Sequence, residues 1–502
     1  MSRTADPDLV RTRRRRGPQL VGGVLAVVAL SLVWLPLFGD QAVMVLVGRD
    51  VFDGRHLYTG ILDAKQPGMH LWYGAIDAVF GPAQPIAQLF SVVAVLGTAW
   101  LITGLLVRRL ETPWVRDWAP VLVAAGMLLT LDEIHLGQAE LVVCLPAVAA
   151  LALVADRRDT GAGPTVRRAL LAGGCLGVVA VFKLLLVAVP GAAVLVYVLA
   201  AARVGRLRTL AALAAGALAA PAAVVAWLGL SGDLPAALFA WFVYPAQVLE
   251  QGDVRSLDTL VTAVRRFGLL FAGVGLLALS RVPTVVRRRD PLDIALLAWC
   301  VMGVATYAIQ VWWHYYLIVL IPGLVALAVR QLDDIARRGG PARRIGLPVA
   351  AVLTVPMVLY GLYGAGLVVL DGGGLTAQSR DRIAERVGGY DGIRRELAAA
   401  GLAPTDTLYV LGDARYQLLA DRPYALGTNG WSAEFIPAQR WELIAVELRA
   451  SPPDLVLVDE TSADAMRRRG AGAHDVLTQR YDVVRHGPAG TWYRAREDAS
   501  RR

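Results

Sequence analysis

The sequence predicts a polytopic α-helical membrane protein of about 11 transmembrane helices, with interfacial helices in its first outer loop and a small C-terminal α/β domain outside the membrane. Three observations predict it. Apolar residues make up 56% of the 502-residue chain, above the share in soluble globular proteins. They gather into runs of roughly 15 to 25 residues, each long enough to cross ~30 Å of hydrocarbon as a helix. Arginines cluster in the short stretches between these runs, where the positive-inside bias puts them. The net charge of +9 is therefore a membrane feature, and a nucleic-acid partner is excluded.

The elements follow in order. Residues 1–19 form a basic cytoplasmic N-terminus containing the cluster Arg11 to Arg16. The run from Leu20 to Phe38 is too long for a signal-peptide core and has no clean small-residue cleavage site, so it reads as an uncleaved first helix. Further spans are expected at 86–107, 118–131, 136–154, 169–184, 187–202, 209–230, 260–280, 293–311, 315–330 and 345–367. The stretch 169–202 would extend about 51 Å as one helix at 1.5 Å per residue, too far for one crossing. Arginines flank it on both sides, so it should cross twice and turn near Lys183 to Pro190. Eleven crossings then place every arginine-rich loop in the cytoplasm. They place 39–85, 132–135, 231–259, 312–314 and everything beyond about 370 outside.

Residues 20–370 thus make a membrane domain. Residues 371–375, opening Asp371-Gly372-Gly373-Gly374, read as a flexible linker. Residues 376–502 read as an α/β domain with strands at 408–411 and 455–458 and helices at 414–420, 437–450 and 461–469. In the outer loop, 41–54 and 69–80 mix apolar positions with Arg49, Asp50, Asp53 and Asp77, which suits short helices in the membrane interface. Leu234 to Leu249 reads similarly, as an aromatic belt or a substrate surface. Cys144, Cys175 and Cys300 lie in apolar runs at no disulfide or zinc spacing, and no metal-ligand constellation appears.

Chemistry concentrates in few residues. Lys65 and Lys183 are the only lysines among 50 Lys and Arg residues, and both stand beside membrane. Asp40, directly after the first helix, is either a solvated helix-end acid or a base at membrane depth. Lys65, ahead of Gln66-Pro67-Gly68, is either a snorkelling lysine or a cation for a lipid phosphate. The same choice holds for Lys183. Glu140 runs straight into an apolar stretch and reads as a second functional carboxylate, whereas Asp132 and Glu133 read as solvated. His314, in Trp312-Trp313-His314-Tyr315-Tyr316, belongs to an interfacial belt or hydrogen-bonds a phosphate or sugar. Asp333 and Asp334 fall on the cytoplasmic side and are set aside.

In this order the motifs resemble the bacterial GT-C membrane glycosyltransferases related to protein O-mannosyltransferases and aminoarabinose transferases. The family's Gly-Asp-Glu after the first helix is matched by Gly39-Asp40-Gln41, and its small residue–Arg pair by Gly48-Arg49. Its Tyr and Trp-Asp-His-Lys-Pro-Pro-Gly are matched by Leu57-Tyr58 and Leu62-Asp63-Ala64-Lys65-Gln66-Pro67-Gly68. Glu140, the Gly-rich helix ending at Lys183, and His314-Tyr315-Tyr316 follow. The resemblance covers residues 20–330 and, weakly, Tyr409 to Arg422. Gln41, Ala64 and Gln66 depart from it.

The resemblance implies transfer of a sugar from a polyprenyl-phosphate carrier to a glycan, lipid or protein acceptor on the extracytoplasmic face of a bacterial plasma membrane. It implies no nucleotide sugar and often no metal. Asp40 and Glu140 would be the catalytic pair. Lys65, Arg49, Lys183, His314, Tyr315, Tyr58 and Asp63 would hold the donor. The runner-up readings are a flippase or transporter of a lipid-linked or anionic solute, and a non-catalytic scaffold of the same fold.

Overall fold

The computed structural model describes residues 7–338, apart from 34, 36, 38, 82–83, 130, 132–134, 156–163, 202–204, 251–254 and 269–270, then 344, 348 and 390–496. The expected linker 371–375, the carboxylates Asp132 and Glu133, and all but residue 348 of the expected span 345–367 lie outside this set. The chain forms two compact units, one of residues 1–35, 88–223 and 255–374, the other of 36–87, 224–254 and 375–502.

The first unit is helical. Among the described residues, five helices of the chain are long and apolar enough to cross a membrane: Pro85–Arg109, Leu184–Ala201, Arg206–Leu230, Pro291–Ile309 and His314–Arg337. Gly17–Leu32 and Ala139–Val154 are shorter apolar helices. The long run 169–202 breaks where its length required. The helix Val166–Phe182 ends, Lys183 is extended, a 3-10 turn covers Leu184–Val187, and a new helix runs Ala188–Ala201. Val166–Phe182 packs backbone to backbone on Arg206–Leu230. A Cβ at Gly173 would meet the Leu213 carbonyl at 2.1 Å, and one at Gly216 the Leu170 carbonyl at 2.1 Å. Small residues of this kind let helices in lipid approach closely.

The same unit holds a charge network that includes Asp334, which the sequence reading sets aside with Asp333. Arg281 bonds Asp293 (2.6 Å) and Asp334 (3.2 Å), Arg330 bonds Asp290 (3.1 Å) and Asp293, and Arg288 bonds Asp334 (3.2 Å). Asp333 accepts hydrogen bonds from the backbone of Thr112 (2.8 Å) and Glu111 (3.2 Å). Asp293, Asp333 and Asp334 are buried. Each is tolerated because the cost of desolvating an ion, several kcal/mol, is offset only by such pairing. Loop position alone gave no sign of it.

In the second unit the helices Gly39–Phe52 and Pro67–Phe80 pack together through glycine. A Cβ at Gly48 would lie 2.4 Å from the His70 carbonyl, and one at Gly74 would lie 2.6 Å from the Gly48 carbonyl. Reading 41–54 as an interfacial helix needs correction: from Gly39 to Gly48 every side is buried. Ala42, Val43, Leu46 and Val47 pack against Leu57, Tyr58 and Ile61, and also against Leu228, Ala237, Ala240 and Tyr424.

Four strands form the unit's sheet, in the order β1-β2-β4-β3. β1 (Leu408–Leu411) runs parallel to β2 (Leu455–Val458), and β4 (Gly490–Ala495) runs antiparallel to both β2 and β3 (Tyr481–Gly487). β1 and β2 are apolar throughout because both faces are covered. Tyr409, Leu411, Val456 and Val458 pack with Trp441 and Ile444 on one face. Leu408, Val410, Leu455 and Leu457 pack with Trp492 and Leu397 on the other. The expected helices appear as Arg415–Leu419, Ala438–Ala450 and Glu460–Arg469. β3, β4 and the helices Tyr390–Ala399 and Ala471–Arg480 are additions to the expected pattern.

Candidate functional site

The second unit's cluster is built around a turn. Pro67 opens the helix Pro67–Phe80, with Gln66 extended before it, so Lys65 is held just ahead of the helix start. Its ammonium lies 3.2 Å from Asp40 Oδ1 and 3.4 Å from both oxygens of Asp63. Asp63 is itself 3.5 Å from His70 Nε2, one turn into the helix. Asp40, Asp63 and His70 are all buried. Burial works against the ammonium of Lys65, but Asp63 and Asp40 overcome it and raise its pKa above the ordinary value. Burial likewise pushes the Asp63 carboxyl up, and Lys65 and His70 bring it below the usual carboxylate value. His70 is pushed down to about 4 by burial against the pull of Asp63, so its imidazole is neutral at physiological pH.

Tyr58 braces the turn. Its φ of +80° is a left-handed conformation that an aromatic residue rarely adopts. The strain is held by the Tyr58 amide donating to Ile61 O (2.8 Å). The phenol donates to Lys65 O (2.8 Å) and accepts from Trp241 Nε1 (2.7 Å).

Residues near 430 join this cluster, a contribution with no local signal in the sequence. Leu62 N donates to Gly427 O (2.7 Å), and Asn429 Nδ2 donates to Leu62 O (2.7 Å). Arg55 donates to Tyr424 O (2.7 Å) and Leu426 O (3.0 Å). Trp431 Nε1 donates to Asp40 Oδ1 (3.1 Å).

Arg49 stands elsewhere. Its guanidinium bonds Asp77 (2.9 and 3.1 Å) and Asp421 (2.9 Å), beside a cavity of about 280 Å³ lined also by Tyr73, Tyr390 and Leu418. The hydrogen bond to Asp77 outweighs burial and raises its pKa. A third cluster, unforeseen, centres on buried Asp233. It accepts from Ser231 (2.6 Å) and from Thr59, with His56 Nδ1 3.1 Å away.

In the first unit, Glu140 and Lys183 form an ion pair, and the Lys183 ammonium sits 3.6 Å from the centroid of Tyr316. The expected tyrosine, Tyr315, is buried and packs edge-on against Tyr316. His314 Nδ1 lies 3.0 Å from Nε2 of buried His135, whose ring also packs on Phe267. The expected residues thus fall into two groups. Asp40, Tyr58, Asp63 and Lys65 converge in one unit, with Arg49 held apart in a different ion pair. Glu140, Lys183, His314 and Tyr315 belong to the other. Among the described residues no group of three His, Cys, Asp or Glu side chains could hold a metal ion.

The family model for glycosyltransferase family 87 matches residues 75–309. No curated protein matches the sequence. The crystal structure of ArnT from Cupriavidus metallidurans bound to undecaprenyl phosphate aligns over 96% of this chain and 98% of that one, at 17% identity and a TM-score of 0.58. Two structures of Archaeoglobus fulgidus oligosaccharyltransferase each cover 95% of this chain and 74% of theirs. One is tethered with an acceptor peptide, at 16% identity and a TM-score of 0.46. The other, AglB with an inhibitory peptide and a dolichol-phosphate, aligns at 15% identity and a TM-score of 0.44. At 17% identity the likeness to ArnT is one of fold.

Proposed function

We propose that this chain, which matches the family 87 model over residues 75–309 and shares the fold of ArnT, is a GT-C-type membrane glycosyltransferase that moves a sugar from a polyprenyl-phosphate carrier to a hydroxyl or amine acceptor at the extracytoplasmic face of a bacterial plasma membrane. The observation that carries the reading is the Lys65 ammonium held against Asp40 inside a buried cluster. A fixed cation placed where a leaving phosphate gains charge is the largest kind of catalytic contribution. A carboxylate in reach of the acceptor serves as general base. The acceptor attacks the anomeric carbon with inversion and its proton passes to Asp40. The bond from that carbon to the phosphate oxygen breaks, and the electron pair leaves on the polyprenyl phosphate beside Lys65.

Tyr58 and Asp63 hold Lys65 in place. Glu140 orients the sugar or the acceptor, and Lys183 and His314 are further donor ligands. Arg49, with two carboxylates already on its guanidinium, serves by tying its helix in place. The part of the chain beyond residue 375 lies outside the cell in this reading, and its Trp431 reaches Asp40.

Transfer assays in liposomes test the reading. Asp40→Asn and Lys65→Ala should each lower turnover by roughly 100-fold or more, the scale seen for general bases and charge-stabilising donors. Near-native turnover in either removes that residue's role.

A further inference from the structure

We infer that Trp431 is a positioning residue of the transfer site: its indole N–H and the Lys65 ammonium together fix the Asp40 carboxylate through one oxygen and turn the other toward the acceptor. The inference rests on the base role proposed for Asp40. Trp431 Nε1 and Lys65 Nζ both meet Oδ1, at 3.1 and 3.2 Å. With both donors on Oδ1, Oδ2 is the oxygen assigned to take the proton. Two donors on one oxygen stop the carboxylate from rotating, a constraint that a single ion pair lacks.

The indole and its backbone are themselves held. The indole lies on Gly39, where a Cβ would come within 2.1 Å of the ring. Trp431 N donates to Asn429 Oδ1 (3.3 Å), and Asn429 is anchored by its bond to Leu62 O. Ser432 follows with φ +54°, a left-handed turn that ends the strip. Phenylalanine keeps an aromatic ring at the position but lacks the N–H, and a tryptophan serving only as packing has no need of this hydrogen bond. The other titratable groups near the carboxylate are Lys65, then Asp63 and His70 behind it, with Tyr58 and Tyr244 alongside. In the transfer step the acceptor proton goes to Oδ2, and Trp431 keeps its own.

The test uses the full-length protein in liposomes with undecaprenyl-phosphate mannose, glucose and arabinose, following release of undecaprenyl phosphate. Trp431→Phe should lower kcat roughly 10- to 100-fold, the scale of losing one hydrogen bond to a charged group, and leave the donor KM unchanged. The acid limb of kcat should move to higher pH, because the lost donor favoured the ionised carboxylate. Gly39→Ala, which pushes the ring away, should reproduce both effects. Unfolding temperatures show whether each variant is folded. A Trp431→Phe rate within twofold of native overturns the inference. So does a lower rate that tracks a lower unfolding temperature while the acid limb stays put. If the native protein releases no undecaprenyl phosphate from any donor, or Asp40→Asn turns over normally, the proposed function itself fails and takes the inference with it.

Discussion

Lys65 shares one positive charge between Asp40 and Asp63, and His70 stands neutral behind Asp63. This sets the sign of a pH effect. His70 titrates lower in the folded protein than in the unfolded chain, where about 6.5 applies. Between those values the unfolded state binds the extra proton, so stability falls as pH falls from about 6.5 toward 4. Asp63, also depressed, adds stability above the ordinary carboxylate value that is lost as pH drops further. The His70 part is on the order of 3 kcal/mol for a shift of this size. Unfolding temperatures of the detergent-solubilised protein should decline from pH 6.5 to 4.5, and His70→Gln should flatten that decline. At this scale Asp40 and Lys65 were legible in the sequence, because an acid and a rare lysine beside apolar spans are conspicuous. His70 and Trp431 were not. A histidine inside a helix and a tryptophan in a distant loop look ordinary until the chain brings them to the same carboxylates.

Elements were legible where length or composition constrained them. The break at Lys183 followed from a stretch too long for one crossing. The two four-residue apolar strands announced a covered sheet. The helix Gly39–Phe52 was legible as a helix but not as a buried one. Its polar residues look like an exposed face, whereas Arg49 is used up on Asp77 and Gly48 lets the next helix close in. Two glycine substitutions separate these effects. Gly48→Ala puts its Cβ 2.4 Å from a backbone carbonyl that cannot yield, and should cost ~1–3 kcal/mol. Gly23→Ala meets nothing within 4 Å in a helix interior and should stabilise by about 1 kcal/mol. Unfolding temperatures of the pair should therefore move in opposite directions.

For the whole molecule, the spacing of apolar runs and arginines carried the class, and the fold agrees with it. The pairing of charges across loops stayed hidden, since nothing local links Arg281 to Asp334, 53 residues away. Arg281→Met strips both Asp293 and Asp334 of a partner and should cost ~3–5 kcal/mol. Arg281→Met combined with Asp293→Leu should cost less than the single change, which a double-mutant comparison of unfolding temperatures checks. An equal or greater loss in the double variant would mean the pair itself, and not the under-compensated acid, carries the stability.

The strip from Tyr424 to Trp431 lies against residues 55–65 and ends on Asp40. Its consequence concerns time. A ribosome makes residue 40 nearly four hundred residues before residue 431, so the nascent chain has its carboxylate long before it has the group that fixes it. Helices already inserted in the bilayer would meet lipid donors while synthesis continues. On the proposed role of Trp431, such a half-made chain turns over roughly 10- to 100-fold more slowly, and full turnover comes only once the last quarter of the protein has arrived.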